Sequence, residues 1–397
     1  RGDFWSLSEL GCTHENNGWP SSHPLLRIND KMIRSLIHAN HTGLISTSVA
    51  MDNIQTIREG MDYMISQQQS GTGDPVEEGG FTYWNTRPDQ FTPNSNEDRN
   101  ANYTHAYETS HALRAMCEAY MYFQDNGIAY SNMNGLYQAI INAADNLQRK
   151  NELTACDLAN SNFRGLALWA LAAAYKVANY NGDIVTAAGY RLKAKDISAK
   201  LMFDQTTDGL IQDGMWLTGG DDWDNCGPDP DPNVHDDGDN IVHHDTHIFY
   251  HCMILRGLVE MMDITADADV AWKITLISHI KKAVNHIINY RVAYYPNAIG
   301  NWNTSTQTPS GTISQGEVRL TWTTTDGLSS CPIWGFYYGE EIMEPIAMLT
   351  LYSEYQIFFS CEERRILRNL LLTLGVQANS PVNLENFVSY AYYADYF

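Results

Sequence analysis

The feature that most constrains this chain is an alternation of two kinds of helix, one apolar nearly all round and one with a polar face. Over 162–180 the run Leu166, Ala167, Leu168, Trp169, Ala170, Leu171, Ala172, Ala173 and Ala174 offers water no face. A helix of that kind has to be covered on every side. The next segment, 184–202, carries Arg191, Lys193, Lys195, Asp196 and Lys200 and keeps a solvent face. Over 104–124, Ala112, Leu113, Met116, Cys117, Tyr120 and Phe123 recur at three- and four-residue spacing, which predicts a buried stripe. The same rhythm predicts helices near 28–39, 51–68, 133–150, 244–264, 268–290, 341–357, 361–375 and 383–394.

Helix pairs repeat about every fifty residues, the scale of helical hairpins. An inner ring of buried helices inside an outer ring of half-exposed ones satisfies that pattern. The expected fold is all-α, an (α/α) toroid of about six hairpins. A plain helical array is the alternative, but the linking loops are too long and ornate for one. No Pro/Gly/Ser linker divides the chain, so residues 1–397 are expected to form one domain. Three long loops, Gly71 to Asn102, Phe203 to Val242 and Val292 to Gly339, each precede an expected inner helix. In a toroid they would crowd one mouth and form a cleft there, and loops on a rigid scaffold are the usual carriers of function.

The net charge of −22 argues against a nucleic-acid protein, because phosphate binding needs a basic footprint. A polyanionic sugar remains open, since it needs only a few local Arg or Lys residues. No run approaches the roughly 18 apolar residues of a membrane helix. The opening Arg1-Gly2-Asp3-Phe4-Trp5 has neither an initiator Met nor an apolar leader and reads as a processed, secreted form. Cys12, Cys117, Cys156, Cys226, Cys252, Cys331 and Cys361 include no CxxC, which disfavours a zinc ribbon or a thioredoxin-like site. The odd number leaves at least one free unless a pair forms between chains. Sequons at Asn40, Asn102 and Asn303 favour an extracellular glycoprotein. A monomer is expected. Trp84, Trp216, Trp223, Trp302, Trp322 and Trp334 lie in or beside the long loops. Six tryptophans in polar loops exceed what a core needs, and aromatic faces stack on sugar rings.

The segments Arg164-Gly-Leu-Ala-Leu-Trp-Ala-Leu171 and CMILRGLVEMM, from Cys252 to Met262, resemble inner-helix segments of the (α/α)-toroid carbohydrate-active enzymes. Two branches of that superfamily matter. Endo-mannanase-like glycosidases carry an adjacent Asp pair at the start of an inner helix. Here the corresponding place reads Leu158-Ala159-Asn160-Ser161-Asn162, with no carboxylate pair. The toroidal alginate- and glucuronan-type lyases use Asn, His, Arg and Tyr in that order along the chain. Asn240, His243 or His244, Arg291, and Tyr294 or Tyr295 reproduce that order.

The chemistry explains those residue types. A uronate C5 proton is weakly acidic until the C6 carboxylate is neutralised, which Asn240 and Arg291 would do. Tyr294 or Tyr295 would act as base and then acid, with His243 or His244 as auxiliary base. A nearby Arg depresses the Tyr pKa. Three other readings compete for parts of this set. His243, His247 and His251 lie four apart and could ligate a metal, although the Glu of an HExxH pattern is missing. They could equally be buried His bonded to carbonyls. Arg291 could cap its helix C-terminus while the tyrosines pack on the rim.

A second cluster comprises Arg99, Tyr103, His105 and Glu108, with Thr104 as a possible N-cap and Glu108 complementing a helix dipole or lining the cleft. Trp84, Asn162, Arg164, Trp223, His247 and Trp334 complete the expected substrate-binding set. The carboxylates of a glycoside hydrolase would come from Asp221, Asp222, Glu108, Glu340 and Glu341. Glu340 and Glu341 also suit a helix start near Pro345. Eight Asp between Asp221 and Asp239 form an acidic, hydrated loop or, alternatively, a Ca²⁺ site, although Val234 replaces the turn glycine of a calcium loop. No cofactor is required and no metal is expected at the catalytic site. The leading expectation is a secreted lyase acting on a uronate polysaccharide. A toroidal hydrolase is the alternative, with a sugar-binding protein and a sugar epimerase behind it.

Overall fold

The computed structural model describes residues 26–43, 45–82, 104–154, 161–205, 248–288, 292–294, 302–303, 308–309, 318–323, 330–332, 339–351 and 357–368, with 214, 216 and 355. Nine α-helices carry the described chain: α1 (Leu26–His41), α2 (Thr47–Gln67), α3 (Ala106–Asp125), α4 (Met133–Arg149), α5 (Ser161–Tyr180), α6 (Ile184–Asp204), α7 (Ile248–Ile264), α8 (Val270–His286) and α9 (Gly339–Leu351). A further helical run covers 361–368. The chain is therefore predominantly helical, with boundaries close to those the apolar spacing predicts. The expected helix at 383–394 lies outside the described residues.

Burial follows the two expected kinds of helix. On α3, residues 106–117 are all buried, and on α7 residues 251–261 are all buried. On α4 only the stripe Leu136, Ala139, Ile140, Ala143, Ala144, Asn146 and Leu147 is buried. On α8 the buried set is Leu276, Ile280, Ala283, Val284 and His286. Odd-numbered helices are thus covered and even-numbered ones half exposed, as their residue patterns require. Ser46 caps α2 by accepting from the Val49 amide at 3.4 Å, and Asp269 caps α8 in the same way from Trp272. The C-terminus of α3 closes on Gly127 at φ 60°, with the Ile128 amide donating to the Phe123 carbonyl at 2.8 Å. That is the left-handed stop glycine supplies most readily.

The chain divides into two compact units, residues 1–153 with 166–196, and residues 154–165 with 197–397. In the first unit α1, α3 and α5 run parallel. Asp30 meets His111, Arg34 meets Glu118 and Asn40 meets Tyr122, so residue numbers rise together. Arg114 meets Trp169 and Tyr120 meets Asn181 in the same sense. In the second unit α7 and α9 are parallel, since Arg256 meets Glu344 and Asp263 meets Tyr355.

The stretch from Val292 to Gly339, read from sequence as a loop, holds short antiparallel strands. β1 (Val292–Tyr294), β4 (Val318–Thr323) and β5 (Ser330–Pro332) form one sheet in that order, and β2 (Trp302–Asn303) pairs with β3 (Thr308–Pro309). Val318, Leu320 and Trp322 alternate with Arg319, Thr321 and Thr323, a period of two that suits a strand. Pro345 lies inside α9 rather than at its start, because Gly339 to Glu344 already turn as helix ahead of it.

Candidate functional site

Of the residues expected to contact substrate, His105, Glu108, Asn162 and Arg164 are described. His105 occupies the N-cap position of α3 without a side-chain cap bond. Thr104 does not cap that helix. Its hydroxyl donates to Glu77 Oε2 at 2.6 Å, and Lys150 Nζ holds the same carboxylate at 3.0 Å. The half-buried, ionised Glu77 carboxylate offers the Thr104 hydroxyl a stronger acceptor, which draws it away from the helix start. Glu108 is buried in the first turn of α3. Asn162 and Arg164 are buried in the first turn of α5, and Arg164 Nη1 donates to Asp204 Oδ2 at 3.3 Å. Trp216 is buried and donates its indole N–H to the Leu201 carbonyl at 2.7 Å, so it is a core residue and not a sugar platform. Trp84, Arg99, Tyr103, Trp223, Asn240, His243, His244, His247, Arg291, Tyr295, Trp334 and the Asp221–Asp239 loop lie outside the described residues. Tyr294 falls on β1.

The first unit assembles a polar cluster that the sequence reading missed. Asp30 on α1 places Oδ2 2.6 Å from His111 Nδ1 and accepts a second bond from Arg114 Nη2, both on α3. Four residues along α1, Arg34 donates Nε–H to Glu118 Oε2 at 2.6 Å, and His38 Nε2 stands 2.9 Å from Oε1 of the same carboxylate. Trp169 of α5 packs between cations, with the Arg114 guanidinium 3.9 Å and the Arg34 guanidinium 4.6 Å from its ring centroid. The Tyr107 ring meets the His111 ring edge-on at 4.6 Å. Asp30, Arg34, His111 and Arg114 are all buried.

Ionisation in this cluster is set by its neighbours. Burial penalises the Asp30 carboxylate, yet Arg114, the His111 hydrogen bond and Arg34 outweigh that penalty and hold it below the usual carboxylate range. Burial pulls His111 down to about 4; the Asp30 hydrogen bond opposes the shift and Arg114 adds to it. Burial opposes ionisation of Glu118 too, but Arg34 and His38 keep it well below an ordinary Glu. At neutral pH the ion pairs are therefore charged and His111 is neutral. An ionised Asp30 Oδ2 can only accept, so the His111 proton sits on Nδ1 and Nε2 carries the lone pair.

A second buried network lies in the other unit. Arg256 on α7 pairs with Glu260 one turn on and with Glu344 of α9 at 3.1 Å. Tyr355 donates its hydroxyl to Asp263, and burial followed by that carboxylate's charge drives the phenol far above its usual pKa. His251 places Nε2 3.0 Å from the Ala283 carbonyl and packs its ring against Trp216 and His286 at 5.2 Å. His251 thus makes the carbonyl bond that was one reading of the His run; His243 and His247 lie outside the described residues.

A sequence signal for the first cluster existed. Arg114 lies in the buried stretch of α3 beside Leu113, Ala115 and Met116, where a charge is tolerated only with a partner. Which partner it finds depends on neighbouring helices, which spacing along one helix does not reveal. No family of known proteins matches the chain, and no curated protein matches its sequence.

Proposed function

We propose that the protein is a secreted polysaccharide lyase of (α/α)-toroid fold, residues 1–397 acting as one catalytic domain, which cleaves a uronate polymer of glucuronan or alginate type by β-elimination. One observation carries the reading furthest. Each of the three long connections leads into a covered helix, namely α3, α7 and α9. Within each unit the covered helices are parallel, so the connections that enter them arrive at one end. Parallel covered helices, each entered by a long connection, are what a toroid requires, and the resemblance of 164–171 and 252–262 to inner helices of the toroidal enzymes supports the same reading.

In this reading Asn240 and Arg291 neutralise the C6 carboxylate and stabilise the developing aci-carboxylate. Tyr294 or Tyr295 removes the C5 proton and returns it to the leaving oxygen, and His243 or His244 is an auxiliary base. No cofactor is needed, because the electron pair of the C5–H bond expels the O4 leaving group directly. The test is ultraviolet absorbance during incubation with glucuronan, alginate and pectate, beside a reducing-sugar assay on neutral mannans and glucans. Rising absorbance from a 4,5-unsaturated uronate is expected. Arg291→Ala should abolish that signal while leaving the unfolding midpoint unchanged, and retained turnover would remove Arg291 from the site. The buried Glu108 at the start of α3 favours a second reading, a glycoside hydrolase. New reducing ends without absorbance would establish that reading instead.

A further inference from the structure

In the Asp30–His111–Arg114 cluster, internal bonds leave polar atoms over. Asp30 Oδ2 already receives both His111 and Arg114. Among the described residues, His111 Nε2, Asp30 Oδ1 and the Nε and Nη1 of Arg114 are buried and have no hydrogen-bond partner, while Arg114 Nη2 also stands 3.2 Å from His111 Nδ1. Orphaned groups of this kind are rare in native cores, and each calls for an explanation. Their polarity is specific. His111 Nε2 offers a lone pair, because its proton is committed to Asp30 through Nδ1. Arg114 Nε and Nη1 offer only N–H donors. An anion would face the Asp30 carboxylate and the bare His111 nitrogen, and a cation would face Arg114. A neutral hydroxyl suits both partners, since it donates one proton and accepts through its lone pairs. Position agrees. Asp30 is the fifth residue of α1 and His111 the sixth of α3. At about 1.5 Å rise per residue the cluster lies roughly 6 to 8 Å below the helix starts. That is the end at which the long connection enters α3.

We propose that Asp30, His111 and Arg114 form a receptor for one neutral hydroxyl group of a saccharide, which donates to His111 Nε2 and accepts from Arg114. The proposal rests on the carbohydrate reading above and adds a recognition residue to it. Asp30 is the positioning residue, because it fixes the imidazole tautomer. The hydroxyl enters a desolvated place, where a hydrogen bond is stronger than in water.

The test observes the ring nitrogens of histidine in the full-length, nitrogen-15-labelled protein by NMR. The His111 ring is assigned through its contact with the Tyr107 ring, so no variant needs to fold, and its loss in His111→Gln provides a second assignment. Oligoglucuronate, oligomannuronate, a manno-oligosaccharide and a cello-oligosaccharide are added in turn. In the sugar-free protein His111 should show one protonated nitrogen and one bare nitrogen. The bare signal should move into the hydrogen-bonded range when a saccharide binds, and sodium sulfate should leave it in place. Three results would overturn the proposal: a proton on Nε2; a hydrogen-bonded Nε2 in sugar-free protein that no saccharide alters, meaning a resident water only; or saccharide-dependent shifts elsewhere with His111 unmoved. If no saccharide shifts any signal, the carbohydrate reading falls together with this one. Absence of unsaturated product alone removes only the lyase chemistry.

Discussion

At the scale of single residues, His111 ties stability to pH. Its pKa falls from the usual 6.5 to about 4 in the fold, so between those values the unfolded chain binds a proton that the folded chain refuses. Stability is then full above pH 6.5 and declines as pH falls toward 4. Asp30 acts with the same sign at lower pH, since its depressed pKa makes it lose stability only as acid protonates it. Urea unfolding across pH 4 to 7 should show His111→Gln with a flatter profile than the parent chain, and parallel profiles would clear His111 of this role. Trp169 is the other sensitive residue. Trp169→Ala should cost roughly 3–5 kcal/mol in the same assay, through the cavity it leaves and the loss of its contacts with Arg34 and Arg114. Asn40 bears on the glycoprotein expectation. Its amide donates to the Tyr122 hydroxyl at 2.8 Å and accepts from Asn53 at 2.8 Å, so that sequon serves the packing of α1, α2 and α3.

At the scale of elements, close helix approach matters most in the second unit. A Cβ on Gly165 would stand 2.6 Å from Ile254 Cα, and one on Gly257 would stand 2.4 Å from the Gly165 carbonyl oxygen. The backbones of α5 and α7 therefore touch, and only hydrogen fits between them. Gly257→Ala should destabilise by about 1–3 kcal/mol, because the clash is with backbone that cannot rotate away. A melting temperature equal to that of the parent would mean the helices separate freely. The α7–α9 pair is held differently. Arg256→Ala removes the guanidinium that bridges the buried Glu260 and Glu344 and should cost about 3–5 kcal/mol, read by chemical denaturation. Helix positions were legible in sequence because an all-apolar run or a 3.6-residue stripe is a local property, as on α3 and α5. Thr104 and Pro345 were not. A cap and a helix start depend on what the next element offers, here the Glu77–Lys150 pair beside Thr104 and the turn from Gly339 ahead of Pro345.

At the scale of the whole molecule, the net charge of −22 opposes the approach of a polyuronate. Salt shortens the Debye length from about 30 Å at 0.01 M to about 8 Å at 0.15 M. KM for a uronate polymer should therefore fall severalfold over that range. A KM that ignores salt would point to a neutral sugar and to the hydrolase.

Which segments are helical, and which helices are buried all round, was determined by the sequence itself, because both follow from residue spacing along one element. The positions of the long connections were legible for the same reason, but the strands within the stretch from Val292 to Gly339 and the burial of Trp216 were not. The pairing of Asp30 with His111 and Arg114, of Arg34 with Glu118, and of Arg256 with Glu344 was decided only by tertiary structure. Each joins residues more than eighty positions apart. Such partners share no periodicity; they meet because parallel helices carry their charges to the same height, and a buried charge persists only where another chain segment meets it.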